Sequence, residues 1–244
     1  MRVCFAALAF AMLAGLANAT TFDLVADYDT GVFTYGTNRL SYVNNGAAAF
    51  GAFTTTHASG CFFGPDFACH NDGSDVSFVP MVGHNSGADY NVATFTVPND
   101  VLFMHPATAV SGEPIVRFTA PSAGTYAING AYFRLEDNPG GSGVLTFIFQ
   151  SGLPNGFKFL QTLPDGAYGS SISFSFTTTL AAGDTLDFGS DVTGTGTFVA
   201  TGLAGTIITT DDVPDVPEPS SWAMLLAGAG MILHRWRGRQ RTLR

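Results

Sequence analysis

Apolar and polar positions alternate with a period of two in several short stretches, and no window of the central chain has a convincing helical period. Ser171 to Leu180 (SISFSFTTTL) alternates over its whole length and predicts a half-buried strand. Thr125-Tyr126-Ala127-Ile128 alternates as well. Val144 to Phe149 (VLTFIF) is apolar on both faces and predicts a central strand. Phe198-Val199-Ala200 and Thr206-Ile207-Ile208-Thr209 are expected as further strands. Turn chemistry separates them at Pro121-Ser122-Ala123-Gly124, Asp137-Asn138-Pro139-Gly140-Gly141 and Ala181-Ala182-Gly183-Asp184. Short strands with Gly-rich turns predict an all-β fold of two packed sheets.

Both ends depart from this pattern. Met1-Arg2, the apolar Val3–Leu16 run and Ala17-Asn18-Ala19 form the n-region, h-region and small-residue cleavage site of a secretory signal peptide. Residues 1–19 are therefore expected to be removed between Ala19 and Thr20, with signal peptidase and the export machinery as first partners. At the other end, Pro217-Glu218-Pro219 precedes an apolar run over 222–233, and a basic end over 235–244 follows. As a helix the twelve residues would span about 18 Å, against about 30 Å of hydrocarbon. Flanking residues drawn into the membrane and snorkelling arginines would complete the span. Arg235, Arg237, Arg239 and Arg241 read as a cytoplasmic stop under the positive-inside rule.

This order of features over 213–244 resembles the PEP-CTERM sorting tail of exported bacterial proteins. The resemblance implies recognition of Pro217, Glu218 and Pro219 by exosortase, a membrane protease of Gram-negative, polysaccharide-making bacteria. It also implies transient anchoring in the inner membrane, then residence at the cell surface or in the extracellular matrix.

Charge sharpens the division. Thr20 to Val216 carries four basic residues against eighteen acidic ones, a balance of −14, whereas Pro217 to Arg244 has five arginines and one acid. So acidic a body is repelled by nucleic acid. Cys61 and Cys69, with seven residues between them including Gly64-Pro65, are expected to close a disulfide loop in an oxidising compartment. A metal site with His57, His70 or His84 matches no zinc spacing.

The body, 20–212, carries a second resemblance. Ile115–Tyr126, Gly143-Val144, Leu180–Phe188 and Thr201-Gly202-Leu203, with Asp29–Gly36 and His105-Pro106 upstream, are similar to a jelly-roll domain recurrent in exported bacterial proteins. That implies a jelly-roll-like β-sandwich related to carbohydrate-binding modules, with 54–90 as an insertion.

Reactive chemistry is sparse. There is no G-x-S-x-G, H-E-x-x-H or Walker loop, and Gly194-Thr195-Gly196 lacks the third glycine of a dinucleotide fingerprint. Glu136-Asp137 and Asp184/Asp187 read as solvated turn acids rather than paired catalytic carboxylates. Acidic stretches such as Asp27-Tyr28-Asp29, Asp72–Asp75 and Glu136-Asp137-Asn138 offer oxygen ligands to Ca2+, though none follows the twelve-residue calcium loop. No other cofactor is expected. Tyr28, Tyr35 and Tyr132 are candidate platforms for a sugar, in a body without tryptophan. Three classes follow: a non-enzymatic surface or matrix protein with polysaccharide affinity, an ice-binding protein, and a secreted polysaccharide hydrolase. An ice-binding face needs a regular Thr array, whereas Thr54–Thr56 and Thr177–Thr179 are isolated runs.

Overall fold

The period-two stretches become sixteen strands. The computed structural model describes residues 19–38, 50–61, 63–72, 80–92, 95–107, 112–137, 143–153, 156–163, 167–192 and 199–210. The signal segment up to Asn18, including Ala17, and the whole sorting tail lie outside the described residues, as does the apolar helix expected over 222–233.

In chain order the strands are β1 (Thr21–Asp23), β2 (Phe33–Asn38), β3 (Phe50–Ala52), β4 (Thr55–His57), β5 (Phe67–Asn71), β6 (Met81–Asn85), β7 (Tyr90–Val92) and β8 (Phe95–Val97). Then come β9 (Leu102–His105), β10 (Glu113–Thr119), β11 (Gly124–Arg134), β12 (Val144–Gln150), β13 (Phe157–Leu163), β14 (Ser171–Leu180), β15 (Thr185–Val192) and β16 (Thr201–Thr209). One sheet runs β14-β11-β16-β9-β6-β5-β4, with β1 also on β16. The other runs β13-β12-β15-β10-β2-β3, and β7-β8 is a separate hairpin. All pairings are antiparallel.

From β9 to β12, and again from β13 to β16, the chain crosses between the sheets at each step. This is the winding of a jelly-roll sandwich. The inward positions of both sheets meet in one core that includes Phe118, Ile148 and Phe188 from the smaller sheet and Leu102, Tyr126, Tyr132 and Ile207 from the larger. β14 occupies the predicted Ser171–Leu180, and Phe174, Thr178 and Leu180 are its buried positions. Gly183 supplies the left-handed residue of the following turn at φ +89°. Two expectations are corrected. Val199 and Ala200 are buried but precede β16 instead of forming a strand of their own. Glu136 is no solvated turn acid: it is 3% exposed, and its Oε1 accepts the Ala200 N–H at 3.0 Å.

Residues 54–90 build β4, β5 and β6, which extend the larger sheet beyond β9. On that sheet's outer face the segment also makes a second apolar cluster, where Phe63, Phe67 and Phe103 stack edge to face beside the Cys61–Cys69 disulfide. Gly64, at φ +125°, donates its N–H to Cys61 O, and Phe67 N–H returns to Gly64 O. The Gly-Pro turn thus sets the loop that the bridge closes.

Candidate functional site

β16 changes partners partway along its length. Its residues 206–208 pair with β1, whereas residues 201–203 pair with β9. Ala204 and Gly205 lie at the handover, where Leu24 N–H caps Gly205 O at 2.9 Å. β1 ends at Asp23 and β9 starts at Leu102, and between them opens a notch of about 640 Å3. Its wall includes Val25, Ala26 and Tyr28 on the apolar side, and Asp23, His84, Asn99, Asp100 and Thr206 on the polar side. Its size and mixed lining are those of a small-molecule site.

The loop after β1 is held by its own acids. Asp23 Oδ1 accepts the N–H groups of Val25 and Ala26, each at 2.9 Å, and Asp27 Oδ2 accepts the Asp23 N–H at 2.8 Å. Asp29 sits at φ +60°, in the left-handed region that aspartate tolerates better than most residues. This conformation aims the Asp29 carboxylate at His70: Oδ1 lies 2.6 Å from Nε2, and Nδ1 lies 3.1 Å from Thr56 Oγ1. The Tyr35 ring stacks on His70 at 4.5 Å, and Tyr28 meets it edge-on at 5.6 Å. Tyr28 also packs 5.4 Å from His84, whose Nε2 donates to Asn99 O at 3.1 Å. Tyr28, Tyr35, His70 and His84 therefore form one block behind the notch.

Burial, and then the Asp29 carboxylate, push the Tyr28 hydroxyl far above the ordinary tyrosine range. Burial does the same to Tyr35, while the Asp29 N–H that reaches its oxygen at 3.3 Å pulls the other way. Both remain protonated donors. The Tyr28 hydroxyl is buried without a hydrogen-bond partner among the described residues.

The three tyrosines singled out by sequence differ in their settings. Tyr28 lines the notch, Tyr35 is a 5% exposed backing ring, and Tyr132 belongs to the core. Tyr132 is fully buried and its hydroxyl donates to Phe147 O at 2.7 Å, so it offers no face to a ligand. Asp184 and Asp187 do not form a carboxylate pair either, and the expectation of a solvated turn acid is corrected for Asp187, which is 1% exposed on β15. Asp184 Oδ2 caps Ala181 N–H at 2.8 Å, and Asp187 takes a two-pronged ion pair from Arg117 at 2.6 Å per contact. Among the described residues, no three His, Cys, Asp or Glu side chains converge as a metal set. His57 is exposed on β4, while His70 and His84 are engaged with different partners. His84 and Asn99 were not legible as notch residues, because only the register of β6 on β9 brings them to β1.

The body is thus a β-sandwich of jelly-roll type with a polar-rimmed notch at one strand handover. Residues 215–241 match the PEP-CTERM protein-sorting motif, and the chain is an exported protein of the kind exosortase sorts. No curated protein matches the chain. In fold it is similar to the native family 35 carbohydrate-binding module of Clostridium thermocellum, at 13% identity and a TM-score of 0.30, over 49% of this chain and 85% of that one. It is also similar to a family 35 module from Cellvibrio japonicus, at 18% and 0.31 over 52% and 84%. A third likeness is the K3 adhesin domain of Lys-gingipain from Porphyromonas gingivalis, at 14% and 0.28 over 46% and 75%.

Proposed function

We propose that the protein is a non-enzymatic component of the cell surface or extracellular matrix, anchored transiently by its tail and retained through affinity for extracellular polysaccharide. The Tyr28 side chain carries the reading. It brings an aromatic side chain to the wall of a notch rimmed by Asp23, His84, Asn99 and Asp100, while its hydroxyl is buried behind. An aromatic face beside a few fixed polar groups is what a sugar ring requires. Asp29, His70 and Tyr35 hold Tyr28 from behind, so little side-chain entropy is lost on binding.

The test is retention of the producing cell's own polysaccharide on the exported protein, with polymer length measured before and after. Retention without shortening is expected, and Tyr28→Ala should weaken it about tenfold, which is about 1.4 kcal/mol. The Thr56–His70–Asp29 relay favours one second reading, a hydrolase, since its hydroxyl, imidazole and carboxylate stand in triad order. Shortening or deacylation that disappears in Thr56→Val would replace the binding reading with that one.

A further inference from the structure

The notch does not end at Asp100. A second cavity of about 570 Å3 adjoins it and shares Asn99, Asp100 and Ala204 with it. Its lining also takes in Asp89 and Tyr168, the latter one of the exposed large hydrophobic side chains among the described residues, at 41%. Because they share this border, we treat the two cavities as one groove, with Tyr28 lining the first half and Tyr168 the second. Three carboxylates border it: Asp23, Asp100 and Asp89. Asp89 and Asp100 are exposed, and among the described residues no ion pair engages either of them. Burial first, then the charges of Asp89 and Asp100, push the Tyr168 hydroxyl up, which places both carboxylates within electrostatic reach of that ring.

Positive charge is scarce along this groove. Of the bases among the described residues, Arg117 is bound to Asp187, Lys158 lies on β13 of the other sheet, and Arg134 borders the groove from a fully buried position. His84 is the remaining titratable cation former on the wall. A uronic acid or sulfated polymer entering here would meet carboxylates with no exposed base on the lining among the described residues, and like charges brought together cost free energy. An amine-bearing sugar meets them as counter-charges, with the tyrosine faces available to the rings and to the ammonium groups.

We propose that the groove binds a cationic amino-sugar polymer, a glycan with free amines, laid from Tyr28 to Tyr168 across Asp100. This rests on the polysaccharide reading and specifies its ligand. Asp100 is the central contact because it belongs to both halves of the groove.

The probes are two six-unit oligosaccharides of the same backbone, one of glucosamine and one of N-acetylglucosamine. They are titrated against the exported protein at about pH 6, where the amines are protonated and aspartates are ionised. The free-amine oligomer is expected to bind about tenfold more tightly. That preference should vanish in the double variant Asp89→Asn/Asp100→Asn and in about 0.5 M salt, where screening falls to about 4–5 Å. The double variant should bind the two oligomers equally, and an unchanged thermal unfolding midpoint reports that its fold is intact. Equal binding of the two probes, released by Tyr28→Ala, would overturn the amine assignment and leave the notch reading standing. A free-amine preference that survives the double variant would place the cation elsewhere and overturn the inference too. Failure of both probes to bind would remove the notch reading as well.

Discussion

Asp187 shows how little a residue's type says about its task. In sequence it reads as a solvated turn acid. In the fold it is 1% exposed and clasped by Arg117, whose guanidinium carbon lies 3.8 Å from the centre of the Phe50 ring. Removing one partner of such a pair leaves a buried charge uncompensated. Arg117→Ala, which takes the ion-pair partner from the buried Asp187 carboxylate, should therefore cost about 3–5 kcal/mol and lower the melting temperature by about 10 °C, read by thermal unfolding.

His105 sets a pH dependence. Burial holds its pKa below the usual 6.5, and Nδ1–H donates to Pro106 O at 2.7 Å. The unfolded chain takes up a proton near 6.5 while the folded chain does not. This contribution to stability is thus complete above that pH and is lost as pH falls from 6.5 towards the folded value. Unfolding midpoints measured from pH 7.5 down to 5 should decline, and His105→Gln should flatten the decline.

At the scale of elements, the Cys61–Cys69 loop joins the turn ahead of β5 to β5 itself, and Cys69 is fully buried among Phe67, Phe63 and Phe103. Closing so short a loop removes about 2–3 kcal/mol of unfolded-state entropy. Cys61→Ser with Cys69→Ala should lower stability by about that amount, and denaturant titration will measure it. Protection of β4 to β6 amides from hydrogen exchange should fall more than that of β11 and β14, which lie at the other end of the same sheet. The pairing of β11 with β16 depends on a close approach: a Cβ on Gly130 would press on Gly205 and the Phe174 ring. Gly205 lines the notch, so this close approach bears directly on the notch wall.

At the scale of the whole molecule, export and sorting act on segments outside the sandwich. From sequence alone, prolines at 217 and 219 favour an extended segment, a form a protease can read. Mass spectrometry of surface material should find the mature chain beginning at Thr20 and ending near Pro219 or Ser220. An intact Arg244 terminus would overturn that expectation. The destination was legible because an address is linear: a charge, an apolar run and a proline pair keep their meaning without a fold around them. The strands were legible for a related reason. Alternation such as that of Ser171–Leu180 is the local image of one buried and one exposed face. Tertiary structure alone decided which aromatic and acidic residues share a site. Tyr28 and Tyr132 look equivalent in sequence. One borders a notch because β16 exchanges β1 for β9 beside it, and the other is sealed between two sheets. Strand pairing joins residues far apart in the chain, such as Asp23 and Thr206, and no periodicity within a strand encodes its neighbour.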